Sequence, residues 1–295
     1  MKPLLTFDET LLDNQDQFKD PFFDRYQLRH AEKPLQLNEQ VKKNYLFPTF
    51  YSDVTCAIGI FMCNYKKAEE MMFHPAIKPV RMTKDRALIA FSCYIYKNVL
   101  GIPPYYEIAM SIPVLVDPGF NPPVVPMVAE KMFKNFGYYV FSMPVTSLEN
   151  RIRGNKIWGL PKVVQEIDIT ENSGYCTTIA KEENGAPYFE LSIPMNGQEA
   201  EFDVTSNLYT TLEGEILQSE TNFKSRFHVN KNMKALVKAN MKADYTYLKI
   251  GDSPSGQILK NLEIEEMPFQ TRFTKGMVSS FDLPNPNYKP SISLT

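Results

Sequence analysis

The chain has 295 residues, of which 43% are hydrophobic and 13% aromatic, so it has enough apolar side chains for one large domain or two smaller ones. This composition excludes an intrinsically disordered chain, because such chains bury too little apolar surface to offset the entropy lost on folding. The formal net charge of -2 disfavours a nucleic-acid-binding protein, since binding to phosphates requires a surplus of Lys and Arg.

The first 50 residues differ in composition from the rest of the chain. Residues 13–43 are polar and charged, with only a weak helical pattern around residues 22–28. We therefore predict an N-terminal arm over residues 1–50 that packs on a domain or on a neighbouring subunit, with a loosely ordered tail as the alternative. A single β-rich domain is expected over residues 51–283, followed by a Pro-, Asn- and Ser-rich tail over residues 284–295.

Short runs of β-branched and aromatic side chains predict a mainly β fold with a few helices. The predicted strands are residues 54–62, 86–96, 105–116, 138–145, 163–170, 175–181, 188–193, 201–208, 245–250, 262–267 and 271–273. Helices are predicted at residues 65–72 and 124–136, with Gly137 ending the second one. Pro113 favours a sheet edge or a bulge, because proline cannot donate a hydrogen bond to a neighbouring strand. Many short strands between turn residues indicate a closed antiparallel β-barrel or a sandwich.

Several kinds of active site lack their usual sequence patterns. The four cysteines form no CxxC pair and the chain has only three histidines, so a zinc site and a catalytic triad are both disfavoured. No glycine pattern for phosphate or dinucleotide binding occurs. The lack of a signal-peptide pattern and of a long apolar run predicts a cytoplasmic protein with reduced cysteines that does not act at a membrane.

One segment, residues 151–164, has the pattern of a site. It contains the only tryptophan, Trp158, and it places Lys162 directly after Pro161 and before two valines. A lysine among apolar side chains has a lowered pKa, because burial disfavours its charged form. A neutral amine can attack a carbonyl and form a Schiff base. The alternative is an ordinary strand lysine whose amine reaches water.

This segment resembles the active-site loop of the acetoacetate decarboxylase family, which typically reads Trp-Gly-Phe-Pro-Lys-Lys. The matching residues here are Trp158-Gly159-Leu160-Pro161-Lys162-Val163, and Gly154 matches a family glycine ahead of the loop. Residues 105–114 are similar to a family strand that reads Tyr-Thr-Glu-Ser-Gly-Gln-x-Ile-Pro-Val. The resemblance covers roughly residues 51–280. It implies that Lys162 is the Schiff-base residue, that Glu107 is the catalytic glutamate, and that the fold is the closed β-barrel of this family.

Three positions depart from the family pattern. Val163 replaces the second lysine of the loop, so a neighbouring cation is missing unless Arg153 or Lys156 folds back. The active-site arginine of the family falls on Thr55, and a further glutamate falls on Ser92. Because the lysine and Glu107 are retained, imine formation is better supported than decarboxylation, for which the lost groups would position a carboxylate.

The resemblance implies a Schiff-base lyase that decarboxylates a β-keto acid through an imine on Lys162, while Glu107 moves protons. The expected substrate-binding residues are Trp158, Tyr105, Tyr94, Ser92 and Thr55. The chemistry needs no metal and no organic cofactor, the partner is a small keto acid, and a homo-oligomer is expected. Two alternatives stay open, namely an aldolase-dehydratase or hydratase that acts on a pyruvate-like keto acid, and a non-catalytic barrel that binds a small molecule.

Overall fold

The computed structural model describes residues 1–7, 14–129 and 132–289, and most of its elements are β-strands. The α-helices of the described residues are α1 (Tyr65–Glu70), α2 (Val125–Val128), α3 (Leu148–Trp158) and α4 (Pro254–Lys260). The strands are β1 (Arg29–His30), β2 (Leu35–Gln36), β3 (Lys42–Lys43), β4 (Leu46–Phe47), β5 (Thr49–Asn64), β6 (Ile77–Pro79), β7 (Arg86–Val99), β8 (Tyr105–Val116), β9 (Phe136–Val145), β10 (Lys162–Val164), β11 (Ile167–Asn172), β12 (Tyr175–Lys181), β13 (Pro187–Pro194), β14 (Gln198–Leu212), β15 (Glu215–Lys231), β16 (Leu248–Ile250) and β17 (Gln270–Phe281). None of these helices is long and apolar enough to cross a lipid bilayer.

A closed barrel forms the centre of the molecule. Around the ring the strand order is β9, β14, β15, β17, β5, β7 and β8, and β8 pairs with β9 to close it. The prediction of a mainly β fold with a closed barrel is confirmed. One pairing differs from the antiparallel expectation, because β9 and β14 run parallel. The short strands β6 and β10 add to β8 and β9 respectively.

The two faces of the barrel wall bury different side chains, because successive residues of a strand point to opposite faces. On β5, Ile58 borders the interior cavities, whereas Ala57 and Phe61 belong to the core outside the barrel. A second sheet, in the order β11, β12, β13 and β16, packs on this outer face. The rings of Phe91 and Phe189 meet across this contact with centroids 5.1 Å apart. The main apolar core therefore lies between the barrel and the second sheet, and the barrel interior remains available for a site.

The described part of the N-terminal segment packs on the barrel through aromatic side chains. The buried residues of this cluster are Phe18, Phe22, Phe23, Phe50, Leu100 and Val278. The weak helical pattern at residues 22–28 forms only a single 3-10 turn, Phe23–Arg25. Residues 284–289 also contact the barrel, since Asn285 donates a hydrogen bond to the carbonyl of Gln218. The division into arm, barrel domain and tail stays a prediction.

The predicted helix over residues 124–136 is wrong. The structure has only the four-residue α2 there, and β9 already begins at Phe136, so Gly137 lies in a strand; residues 130 and 131 are outside the described part. Pro126 lies in the first turn of α2, where proline is tolerated, whereas the valines at both ends of this helix are poor helix formers. Gly137 packs against the backbone carbonyl of Asn207, where a Cβ atom would overlap it. The glycine thus allows the close parallel approach of β9 and β14.

Two strand predictions also need correction. Residues 163–170 form two strands, β10 and β11, in different sheets. Residues 262–267 do not form a strand. Leu262 is buried, and Glu265 forms an ion pair with Arg86 at 3.2 Å. Pro113 lies inside β8, and its carbonyl accepts a hydrogen bond from Val80, the residue after β6. Its nitrogen therefore faces the end of a short strand, where a missing donor costs little.

Replacing Phe23 with alanine tests whether the N-terminal segment is part of the folded unit. The ring of Phe23 is 4% exposed and its centroid lies 4.6 Å from that of Phe50. We expect Phe23→Ala to lower the free energy of unfolding by about 3 kcal/mol, measured by urea denaturation, because it leaves a cavity among aromatic rings. Phe120→Ala is the control, since Phe120 is 75% exposed, and it should change stability little. Equal small effects would contradict the packing of this segment.

Candidate active site

The position of Lys162 is set by the helix that precedes it. Ser147 is the N-cap of helix α3, and its hydroxyl accepts a hydrogen bond from the backbone N–H of Asn150. Gly159 is the C-cap, and its backbone is in the left-handed conformation. After Leu160 and Pro161 the chain enters β10, so Lys162 starts a strand beside β9. Gly154 of α3 lies against the lysine stem, and a Cβ atom at that position would overlap its Cδ and Cε atoms. The glycine therefore leaves room for the lysine to extend into the barrel.

The amine of Lys162 meets the carboxylate of Glu107 inside the barrel. Its Nζ lies 2.5 Å from Oε2 of Glu107, and both side chains are 6% exposed. The amine also donates a hydrogen bond to Oδ1 of Asn150 on α3. Tyr96 donates to the other carboxylate oxygen at 3.4 Å. The structure thus brings together the two residues that the sequence predicts as catalytic, in a buried and hydrogen-bonded pair.

Burial is the main influence on the acidity of this amine. Loss of hydration lowers the pKa of Lys162 below its usual value, because the charged ammonium is the form that water stabilises most. The carboxylate of Glu107 opposes this change, whereas the positive charge of Arg153 adds to the lowering. The lowered pKa increases the neutral fraction of the amine, which is the nucleophilic form.

Arg153 supplies the nearby cation that the sequence comparison finds missing at position 163. Val163 is 46% exposed on the opposite face of β10, so a side chain there points away from the amine. Arg153 is 1% exposed, lies over the ring of Tyr45 at 4.3 Å, and donates to Thr49 at 2.9 Å. Among the described residues it forms no ion pair. Lys156 is exposed and bonds to the carbonyl of Gln36, so it does not fold back.

A small cavity surrounds the amine, and we call it the lysine chamber. Its volume is about 120 Å³. Polar or aromatic residues that line it include Tyr51, Tyr94, Tyr96, Glu107, Lys162 and Phe281. Burial raises the pKa of the tyrosines, that of Tyr51 to about 12, so their hydroxyls stay protonated and can donate hydrogen bonds. The chamber combines a nucleophile, a carboxylate and several neutral donors in surroundings with little water.

A second cavity of about 210 Å³ borders the lysine chamber, and we call it the adjoining cavity. The two share Tyr94, Ala109, Leu208 and Thr221 in their walls. The barrel interior is therefore larger than the space around the amine.

The other residues predicted to bind substrate lie at different positions relative to the amine and the two cavities. Tyr105 contacts the amine, which lies 5.8 Å from the ring centroid, and Tyr94 lines both cavities. Ser92 lines only the adjoining cavity. Trp158 lies one layer behind the chamber, stacked on Phe281 at 4.9 Å, and its indole nitrogen donates to the carbonyl of Asp282. It supports the wall but does not face the cavity.

The assignment of Thr55 to the substrate pocket is wrong. Thr55 is 3% exposed and pairs with Ile95 of β7. Its neighbour Cys56 borders the barrel interior, so Thr55 points to the outer face of the same strand. A difference of one residue along a strand exchanges its two faces, so the position of Thr55 depends on a register that a short sequence match does not contain.

Sequence reasoning missed Asn150, Tyr51 and Tyr96, and it missed α3 altogether. The signals of that helix are present in the sequence, because Ser147 is a favourable N-cap and Gly159 a favourable C-cap. Asn150, Arg153 and Gly154 follow the helical spacing i, i+3 and i+4, and these residues reach the lysine from one face. Helix α3 overlaps the motif that leads to Lys162, and this overlap makes the helical spacing hard to recognise in the sequence.

Among the residues that the structure describes, no group of three or more His, Cys, Asp or Glu side chains could hold a metal ion.

Comparison with known proteins agrees with the fold. The family model of acetoacetate decarboxylase matches residues 32–248, and the chain belongs to this family. No curated protein matches the sequence.

Solved structures share the fold at low sequence identity. An acetoacetate decarboxylase from Legionella pneumophila subsp. pneumophila str. Philadelphia 1 is 12% identical, with a TM-score of 0.57 over 84% of this chain and 88% of that chain. The enduracididine biosynthesis enzyme MppR, in a complex with pyruvate, is 10% identical, with a TM-score of 0.51 over 80% of this chain and 88% of that chain. At such identities the likeness describes the fold alone.

A double-mutant cycle tests the coupling of the buried pair. Lys162→Met leaves the Glu107 carboxylate buried without its cation, and Glu107→Gln leaves the ammonium without its anion. We expect each single variant to lower the free energy of unfolding by about 3–5 kcal/mol. The double variant should regain most of this loss, because two neutral side chains carry no charge-desolvation cost. Additive losses in denaturant titrations would show that the two groups are not coupled.

Proposed function

We propose that this protein is a Schiff-base-forming lyase whose nucleophile is Lys162 and whose default reaction is the decarboxylation of a β-keto acid. One observation carries the proposal. The amine is buried in a chamber within the barrel, has a lowered pKa, and lies 2.5 Å from the carboxylate of Glu107. A lysine that served only the fold would have no need of a cavity beside its amine.

Proton transfer between the paired groups would start the reaction. Glu107 takes a proton from the ammonium, and the neutral amine adds to the ketone to give a carbinolamine. Glu107 then returns the proton to the hydroxyl, which leaves as water and yields the protonated imine. The short contact between the two groups supports this shuttle, because no rearrangement is needed before the proton moves.

Carbon dioxide would leave in the next step. The electron pair of the bond to the carboxylate moves toward the imine nitrogen, and an enamine forms. Protonation of the enamine carbon and hydrolysis of the new imine release the ketone and restore the amine. The apolar walls, which include Met143 and Leu160, favour this step because a carboxylate is poorly solvated among them.

A second candidate is condensation without loss of carbon dioxide, as in an aldolase-dehydratase or hydratase that acts on a pyruvate-like keto acid. The lysine chamber supports it, because its lining contains no arginine and no second lysine to hold a carboxylate for departure. MppR, a neighbour in fold, was solved with pyruvate and with a condensation product of pyruvate and an aldehyde. Both reactions begin with the same imine on Lys162.

A homo-oligomer and a cytoplasmic location stay predictions, as does the absence of a cofactor. The small-molecule partner follows from the size of the lysine chamber, which suits a compact keto acid and no polymer.

Borohydride reduction tests the imine directly. With acetoacetate or pyruvate present, we expect reduction to fix an adduct on Lys162 that peptide mass spectrometry locates. An isopropyl group after acetoacetate would mark loss of carbon dioxide, whereas a group that retains its carboxylate would favour condensation chemistry. Glu107→Gln should slow adduct formation by about 10²–10⁴-fold, because the proton shuttle is lost.

The control for this experiment is Lys156→Met, since this exposed lysine lies on helix α3, shortly before Lys162 in the sequence, and its loss should leave the adduct on Lys162 unchanged. Absence of an adduct with every keto acid, in protein that is folded, would favour the non-catalytic binding barrel.

The influence of Arg153 on the amine can be measured from the pH dependence of amine labelling or imine trapping. Arg153→Met removes a positive charge that lowers the pKa of Lys162, so this pKa should rise. Because only the neutral amine reacts, the rate of amine labelling or imine trapping should then reach its plateau at a higher pH than in the wild type. Lys156→Met removes a distant cation from the same helix and should leave the profile in place. Identical profiles for the two variants would contradict a direct effect of Arg153.

A further inference from the structure

The adjoining cavity contains a cation that no carboxylate neutralises. Arg272 of β17 lines this cavity, and among the described residues it forms no ion pair. Its Nε and one terminal nitrogen donate to Oε1 of Gln270, at 3.1 Å and 2.8 Å, and its guanidinium lies 4.8 Å from the ring centre of Phe202. The second terminal nitrogen has no hydrogen-bond partner among the described residues. An unpaired guanidinium with free donors is a favourable site for a carboxylate.

The rest of this cavity is mainly apolar. Ile58, Ile60, Val140, Phe202, Val204 and Phe223 contribute to its wall. Apart from the arginine, no Lys, Arg, Asp or Glu of the described residues lines it. The lining therefore suits a hydrocarbon chain with one anionic end.

Strand register relates this arginine to the reacting pair. One cross-strand row contains Arg272, Ile58, Ser92 and Ala109, and the next inward-facing row contains Thr274, Cys56, Tyr94 and Glu107. Adjacent inward rows are two residues apart, which is roughly 7 Å along the strands. Arg272 and Glu107 are three strands apart, roughly 14 Å along the curved wall. Arg272 therefore stands on a different part of the barrel wall from Glu107, the partner of the amine.

The two cavities adjoin inside the barrel, so a molecule that spans both would reach the amine and the guanidinium. Tyr94, Ala109, Leu208 and Thr221 belong to both walls. The adjoining cavity, at about 210 Å³, is larger than the lysine chamber, at about 120 Å³. A four-carbon keto acid bound at the amine would leave this larger space and its cation unused.

We propose that the substrate is a keto acid with an extended apolar chain that ends in a second carboxylate, which binds to Arg272. This inference rests on the proposed function, because it takes the ketone to lie at Lys162. Arg272 is thus a specificity-determining residue that touches the distal end of the substrate and takes no part in bond breaking. Ser92, in the same row as Arg272, also lines this cavity, and its hydroxyl can donate a hydrogen bond to the distal carboxylate.

A matched set of keto acids tests this proposal. Borohydride trapping on Lys162 would be titrated with acetoacetate, with 3-oxooctanoate and with 3-oxosuberate, which has the same chain length as 3-oxooctanoate but a second carboxylate. We expect 3-oxosuberate to reach half-maximal trapping at the lowest concentration. Arg272→Gln should raise that concentration about 10- to 100-fold for 3-oxosuberate, and less than twofold for the other two compounds. Arg272→Lys should restore part of the difference, because it keeps the charge.

Arg226→Gln is the matched control. Arg226 lies on the neighbouring strand β15, is 63% exposed and pairs with Glu201 outside the cavities, so its loss should change none of the three titrations. Thermal melting of each variant confirms that it is folded. Equal effects of Arg272→Gln on all three compounds, or no effect on any of them, would overturn the proposal.

A binding measurement separates this proposal from the proposed chemistry. Suberate has two carboxylates and no ketone, so calorimetry with it does not depend on imine formation. If no compound gives an adduct on Lys162, the proposed function fails, and suberate then decides the role of Arg272 alone. Weaker binding of suberate to Arg272→Gln than to the wild type and Arg226→Gln supports the anion site, and equal binding overturns it.

Discussion

The contact between an ammonium and a carboxylate inside a β-barrel is the constraint on which the site depends. Moving either charge out of water alone would cost several kcal/mol, so each group keeps the other in place. Burial and the nearby guanidinium of Arg153 shift the pair toward a neutral amine, whereas Glu107 favours the charged form. Because the two groups are in direct contact, a proton can pass from the ammonium to the carboxylate, which is the condition for reversible attack on a carbonyl.

The largest apolar core and the candidate site lie on opposite faces of the barrel wall. The large apolar core lies between the outer face of the barrel and the second sheet, where Phe61, Phe91 and Phe189 are fully buried. The inner face can therefore carry tyrosines, serines and charged groups without removing apolar contacts from that core. Helix α3 contributes to the site from outside the ring, because it brings Asn150 and Arg153 to the amine.

Much of the fold and the central pair could be predicted from the sequence, whereas the surroundings of the pair could not. Lys162 and Glu107 stand in local motifs, so their residues could be recognised although 55 positions separate them. Arg272 has no such motif, and it reaches the interior only through the register of β17 against β5. The prediction for Thr55 also depends on register, since a shift of one position moves a strand residue to the other face of the sheet. Register and alternation across strands depend on tertiary pairing, which short patterns do not contain.

Ala109 and Thr221 stand at the boundary between the two cavities and have small side chains. Among the described residues neither forms a hydrogen bond with the amine, whose partners are Glu107 and Asn150, so side-chain volume at these two positions can change separately from the reacting groups. A bulkier residue at either position would reduce the space where the two cavities adjoin and would favour short molecules. Relatives with the same lysine can therefore diverge in the carbon skeletons that they accept through changes in side-chain volume at these two positions.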